Sequence, residues 1–143
     1  MSNEIRINST LTVQKDNLKY QSTIRGFTAD MTGQKGPTPG AIAVSVSGTD
    51  VDLSQLTTPG VCEISNIGET YQFDVGVYEP ATGIYYPLLE VLPGESYIIR
   101  LSRHVQEQYE GSIEGTSSAT PNNTVRLRSF GGAGVAFIGA FEA

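Results

Sequence analysis

The chain has 143 residues, with one cysteine, one histidine, no tryptophan, 38% apolar residues, 16 glycines and 7 prolines. That length suits one domain with a core of its own, and a single cysteine excludes an intrachain disulfide or a cysteine metal cluster. The formal charge of −6 is unevenly spread: residues 1–38 carry five cations against three carboxylates, and residues 39–143 carry four against twelve. An acidic body argues against nucleic acid as its main partner, because phosphate recognition needs a cationic face. The asymmetry fits the leading segment of one copy lying on the body of another, and ordinary solubilising charge fits it equally. No apolar run approaches the ~20 residues of a membrane helix. The first residues lack the charged-then-apolar pattern of a secretory signal. The expectation is a soluble chain, made in a reducing cytoplasm, with no membrane partner.

Ile5, Ile7, Leu11 and Val13 share one parity with Ser9, and Arg6, Asn8, Thr10 and Thr12 the other, which reads as a strand. Gln14-Lys-Asp-Asn17 is a turn, after which Leu18, Tyr20, Ser22 and Ile24 alternate with polar residues. Residues 4–29 therefore predict a long hairpin, marginal in water without something to pack on. Residues 30–40, with Gly or Pro every few positions, read as a hinge. The expected division is an arm and linker over 1–38 and a body over 39–143.

In the body, Ile42, Val44 and Val46 alternate with small residues, and Thr57-Thr-Pro-Gly60 turns the chain into Val61–Ile67. Tyr71, Phe73, Val75 and Val77 share a face, and Glu79-Pro-Ala-Thr-Gly83 supplies a hairpin loop. Pro87 marks Ile84–Val91 as an edge strand or a bulge. Tyr97, Ile99 and Leu101 are expected inward, with Ile98 and Arg100 outward. The stretch His104–Glu114 has no clear period, and Gly111–Asn123 reads as an exposed loop. Val125 and Leu127 alternate with Arg126 and Arg128, and Val135, Phe137 and Phe141 lie on a last strand that must be paired to be safe. Seven or eight body strands without strand–helix alternation predict an all-β fold: an antiparallel sandwich or compact barrel with an N-terminal extended hairpin arm.

Chemistry is sparse. His104 has no evident nucleophile or co-ligand, and Cys62 on an apolar strand reads as a small buried hydrophobe. Asp50 with Asp52, and Glu90 with Glu95, are the acid pairs to weigh for metal or glycosidase work, but no Asp-rich loop of calcium-binding length is present. Gly131–Gly134 lacks the Lys-Ser/Thr of a phosphate loop. Arg100, Arg103, Arg126 and Arg128 suit paired carboxylates. Tyr78, Tyr85 and Tyr86 cluster around one hairpin loop. The expectation is no catalytic, cofactor-binding or metal-binding residue, and an interface formed by Ile5, Ile7, Leu11, Val13, Leu18, Tyr20 and Ile24.

The phrases Asp52-Leu-Ser-Gln-Leu-Thr-Thr-Pro-Gly-Val-Cys62, Val75-Gly-Val-Tyr78, Tyr86-Pro-Leu-Leu-Glu-Val-Leu-Pro-Gly-Glu95 and Leu101-Ser-Arg103 are joined by Val125-Arg-Leu-Arg128 and Ala140-Phe-Glu-Ala143. Together they resemble a group of small structural proteins of tailed bacteriophages, which includes head decoration (cement) proteins. The resemblance covers roughly residues 40–143 and carries no catalytic residue. It implies a virion protein made in the host cytoplasm, most simply a capsid decoration protein that bridges subunits. Its implied partners are the major capsid protein or another virion protein, and further copies of itself in a homo-oligomer. A tail, neck or baseplate component is the alternative place. A carbohydrate-binding module using Tyr78, Tyr85 and Tyr86 is the alternative class.

Overall fold

The computed structural model describes residues 4–102 and 124–143. Two compact units divide at Gly33/Gln34, inside the Gly/Pro-rich stretch 30–40 and five residues before the expected division at 38/39. The reason is local pairing: Thr38, Pro39 and Gly40 are already in a strand, opposite Ala140, Gly139 and Ile138. Pro39 is tolerated because that strand lies at a sheet edge.

The first unit is a two-stranded ribbon. Strands β1 (Ile5–Ser9) and β4 (Arg25–Ala29) form its base, and β2 (Thr12–Lys15) and β3 (Leu18–Gln21) its tip. The two-residue turn between Lys15 and Leu18 puts Asp16 at φ 50, a conformation that the short polar side chain of Asp tolerates.

The second unit contains β5 (Thr38–Val44), β6 (Thr49–Asp50), β7 (Pro59–Asn66), β8 (Phe73–Glu79), β9 (Ile84–Val91), β10 (Ser96–Arg100), β11 (Thr124–Ser129) and β12 (Gly134–Glu142). They form two four-stranded antiparallel sheets, ordered β10-β7-β12-β5 and β6-β11-β8-β9. The pairs β8–β9, β7–β10, β6–β11 and β5–β12 are nested like the turns of one rolled hairpin. Every connection except β8–β9 crosses from one sheet to the other. The sandwich expected from the strand count therefore has jelly-roll order.

Alternation decides what fills the space between the sheets. Phe73, Val75, Leu127 and Val125 from one sheet and Ile64, Cys62, Ile138, Ala136, Ala140 and Val44 from the other form a single buried cluster with Val51, Leu53, Leu56 and Val91. The last strand shows the rule against residue size. The small Ala136 and Ala140 face inward with Ile138, while Val135, Phe137 and Phe141 take the other parity and are incompletely buried. Pairing with both β7 and β5 makes β12 an interior strand, so the chain does not end on an open edge. Ile98 faces out as expected. Ile99 and Leu101 pack on the core, but Tyr97, of the same parity, stays partly exposed because β10 is an edge strand.

On β9 the ladder shifts between Val75/Gly76, so Leu89 opposes Val75 and Pro87 opposes Gly76, with Leu88 left over in the bulge. Backbones approach so closely there that a Cβ on Gly76 would collide with the Tyr86 carbonyl and Pro87.

Asn66, 2% exposed, closes one end of the sandwich. Its side-chain amide donates to the carbonyls of Tyr71 (2.9 Å) and Val91 (3.0 Å), and its side-chain oxygen accepts the Gly68 N–H (3.0 Å). Its backbone N–H donates to the Glu95 carbonyl and its carbonyl accepts the Gly94 N–H. Replacing Asn66 by Leu strands the buried Val91 carbonyl, at roughly 1–3 kcal/mol, and the partly buried Tyr71 carbonyl, at the low end of that range. The expected loss in urea unfolding is ~2–4 kcal/mol; a loss under ~1 kcal/mol would show that the amide does not hold this end together.

Candidate interaction surface

In the arm, opposed residues share a face: Ile5 with Ala29, Ile7 with Phe27 and Ser9 with Arg25 at the base, and Val13 with Tyr20 and Lys15 with Leu18 at the tip. Between the two halves the return strand has three residues, Ser22–Ile24, where the outgoing strand has two, Thr10 and Leu11. The Ser22 N–H donates to the Leu11 carbonyl (2.9 Å), and the Ser22 hydroxyl accepts the Leu11 N–H (2.9 Å), which pairs both backbone groups of Leu11 across the bulge. The extra residue reverses the parity of the return strand. Even-numbered Leu18 and Tyr20 thereby join odd-numbered Phe27 on the face of Ile5, Ile7, Leu11 and Val13.

That face is mostly apolar and open, with Ser9, Arg25 and Lys15 its polar members. Leu11 is 57%, Leu18 61% and Tyr20 51% exposed, Val13 and Phe27 are also exposed, and Ile5 and Ile7 are partly so. Ile24 departs from its expected place. It lies in the bulge outside any strand, 75% exposed, because the irregularity falls where continued alternation would have carried it. Phe27 takes the role instead, and a parity change after Ser22 is the sequence signal for it.

The outer face of the β6-β11-β8-β9 sheet holds a second set of side chains. The Arg126 guanidinium lies 3.4 Å from the Tyr78 ring centre and its Nε donates to Asp50 at 2.7 Å. Arg128 lies 4.8 Å from the Tyr85 ring centre and 5.2 Å from that of Phe130. The Tyr85 hydroxyl donates to the Arg126 carbonyl at 3.4 Å, and Gln72 donates to Glu90 at 2.8 Å. Asp74, opposite both Arg128 and Glu90, has its carboxyl pushed up by burial and by Glu90, against the pull of Arg128. The cations thus pair with carboxylates and rings of their own sheet. Tyr78 and Tyr85 carry guanidinium groups on their rings. Tyr86, next in the strand, faces the other side, so the three tyrosines form no common platform.

The remaining candidates are separated. Asp52 caps Ser54 (2.9 Å), and its carboxyl is held low by that side chain and amide, while Asp50 is engaged by Arg126. Glu95 accepts from the Leu92 N–H and the Tyr97 hydroxyl, so Glu90 and Glu95 serve different contacts. Gly131 and Gly132 pack against the Tyr71 ring. His104 and Arg103 lie outside the described residues. Among the described residues no three His, Cys, Asp or Glu side chains converge to hold a metal, and no helix is long and apolar enough to cross a membrane.

Cys62 is buried, and desolvation, aided by Glu63, pushes its thiol up to about 12. It is expected to resist iodoacetamide at pH 8 in the folded protein and to react in urea; fast modification without unfolding would contradict the burial. Burial first, then Asp74, pushes the Tyr85 hydroxyl up to about 12, against Arg128 and Arg126. Between its ordinary value of 10 and about 12 the folded state keeps a proton that the unfolded chain releases, so stability falls as pH rises through that window. Urea midpoints measured from pH 9 to 12 should fall less steeply in Tyr85→Phe; parallel curves would remove Tyr85 as a source.

Comparison of the chain with protein-family models, curated proteins and solved structures gives no match.

Proposed function

We propose that this protein is a structural component of a tailed-bacteriophage particle, a capsid decoration protein that bridges subunits of the head and makes further contacts through its arm. The observation that carries the reading is the ribbon of residues 4–29, a unit of its own with an apolar face open to solvent. An exposed apolar ribbon is an aggregation hazard unless an interaction covers it. The body supports the same reading. Its Arg126 and Arg128 engage a carboxylate and rings of their own sheet, and jelly-roll order is an architecture of virus shell domains, though lectins and cupins use it too. The resemblance of residues 40–143 to phage structural proteins adds to this. On a symmetric lattice, weak contacts from many copies sum through avidity.

Two measurements test the proposal. Quantified against the most abundant shell protein of purified particles, the chain should be present in a simple ratio to it. A ratio of about one hundredth would move it to the tail or neck, and absence from particles would end the virion reading. Deleting residues 1–33 should leave a folded body that binds particles at least ~10-fold more weakly, the scale of a lost avidity contact. Undiminished binding of that truncation would remove the arm from the attachment.

A further inference from the structure

We infer that residues 35–37 are a strap docked on the outer side of β12, so that most of the Gly/Pro-rich stretch is fixed to the body and the arm is tethered at Gln34. The inference concerns contacts within the body and stands whether or not the protein belongs to a particle.

The last strand builds the seat. Phe137, Gly139 and Phe141 lie on β12 with the parity opposite to the core residues Ala136, Ile138 and Ala140, and the middle one has no side chain. Pro37 fills the notch this leaves. A Cβ on Gly139 would come 3.3 Å from the Pro37 Cβ and 3.0 Å from the Phe137 ring. Gly36, at φ 134, lies so close to the Phe141 ring and the Ala140 carbonyl that a Cβ there would collide with both. One residue earlier, the Lys35 carbonyl accepts the Glu142 N–H at 3.3 Å. Three successive residues thus meet three different parts of β12, and Thr38 continues into the ladder opposite Ala140.

Gly and Pro read as a hinge because they disfavour regular pairing, but they also suit close docking where the opposing surface has the matching shape. Pro37 brings an apolar ring and no N–H in need of a partner. Gly36 lets the backbone reach Phe141 in a conformation that other residues rarely adopt. Between β4 and the strap the chain is then residues 30–34. Five residues reach at most ~18 Å, against ~40 Å for the eleven of residues 30–40. A short tether confines the arm to sites near the body and raises its effective concentration there.

Trypsin cleavage after Lys35 tests the docking, because the protease needs the chain around that bond free of the body. In the full chain, formation of an N-terminus at Gly36, read by mass spectrometry, should be at least ~100-fold slower than in a peptide of residues 30–41. Gly139→Val fills the notch and should speed it at least ~10-fold, with the Glu142 amide exchanging with solvent faster by a similar factor. The Ile64 and Ile138 amides and the urea midpoint of the body should stay unchanged. Pro37→Ser, which alters no core strand, should act in the same direction, its rate compared with that of the peptide carrying the same substitution. Wild-type cleavage within ~3-fold of the peptide would show an undocked linker and overturn the inference. So would variants cleaved no faster than wild type, or midpoints that fall in both variants in step with cleavage.

Discussion

The end of the sandwich at which Asn66 is buried shows what the body depends on. Apolar burial holds the sheets together along their middle, where Ile64 and Ile138 of one join the core with Phe73 and Leu127 of the other. At the end of the strands the chain has to leave the core, and the buried carbonyl of Val91 and the partly buried one of Tyr71 would lose the amide there. One carboxamide answers both, from the end of β7 to the segments entering β8 and leaving β9. A carboxylate would present no donors to them and a leucine would present nothing. The backbone of Asn66 also ties down the turn at Gly94–Glu95, between β9 and β10.

Geometry elsewhere follows from the nested pairing. Rolling one long hairpin brings β5 and β12, the ends of the body, together and places β12 in the interior of its sheet. Small inward side chains at Ala136 and Ala140 let the strand sit deep, and the two phenylalanines of the strand lie on the other side. The bulge at Gly76 has the opposite effect on the other sheet, because it turns out Leu88 on an edge strand. A proline at Pro87 and a bulge on the same edge are devices that blunt strand-to-strand association.

The arm uses a bulge for another purpose. A core strand has its facing residues chosen by what it packs against, but the ribbon has a register shift that gathers apolar side chains on a face open to solvent. In the body, Arg126 engages Asp50 and Tyr78, and Arg128 lies beside Tyr85 and Phe130. Arg126 and Arg128 thus meet groups of their own sheet, whereas the apolar side chains gathered on the arm stay exposed.

Local pattern was enough to establish the strands, the turns, the edge character that Pro87 gives β9, the inward set Val75, Val125 and Leu127, and the arm hairpin with most of its apolar face. These depend on period-2 alternation and on residues that force a turn, both properties of a few consecutive positions. Tertiary structure decided the rest. The jelly-roll order requires partners as far apart as Val44 and Gly134, whose pairing no local pattern encodes. The entry of Phe27 and the departure of Ile24 depend on where the bulge closes, set by Ser22 and Leu11 across the ribbon. The separation of Asp50 from Asp52, and of Tyr85 from Tyr86, follows from which face and which neighbour each side chain meets. Sequence spacing fixes parity; only packing chooses which parity is inside.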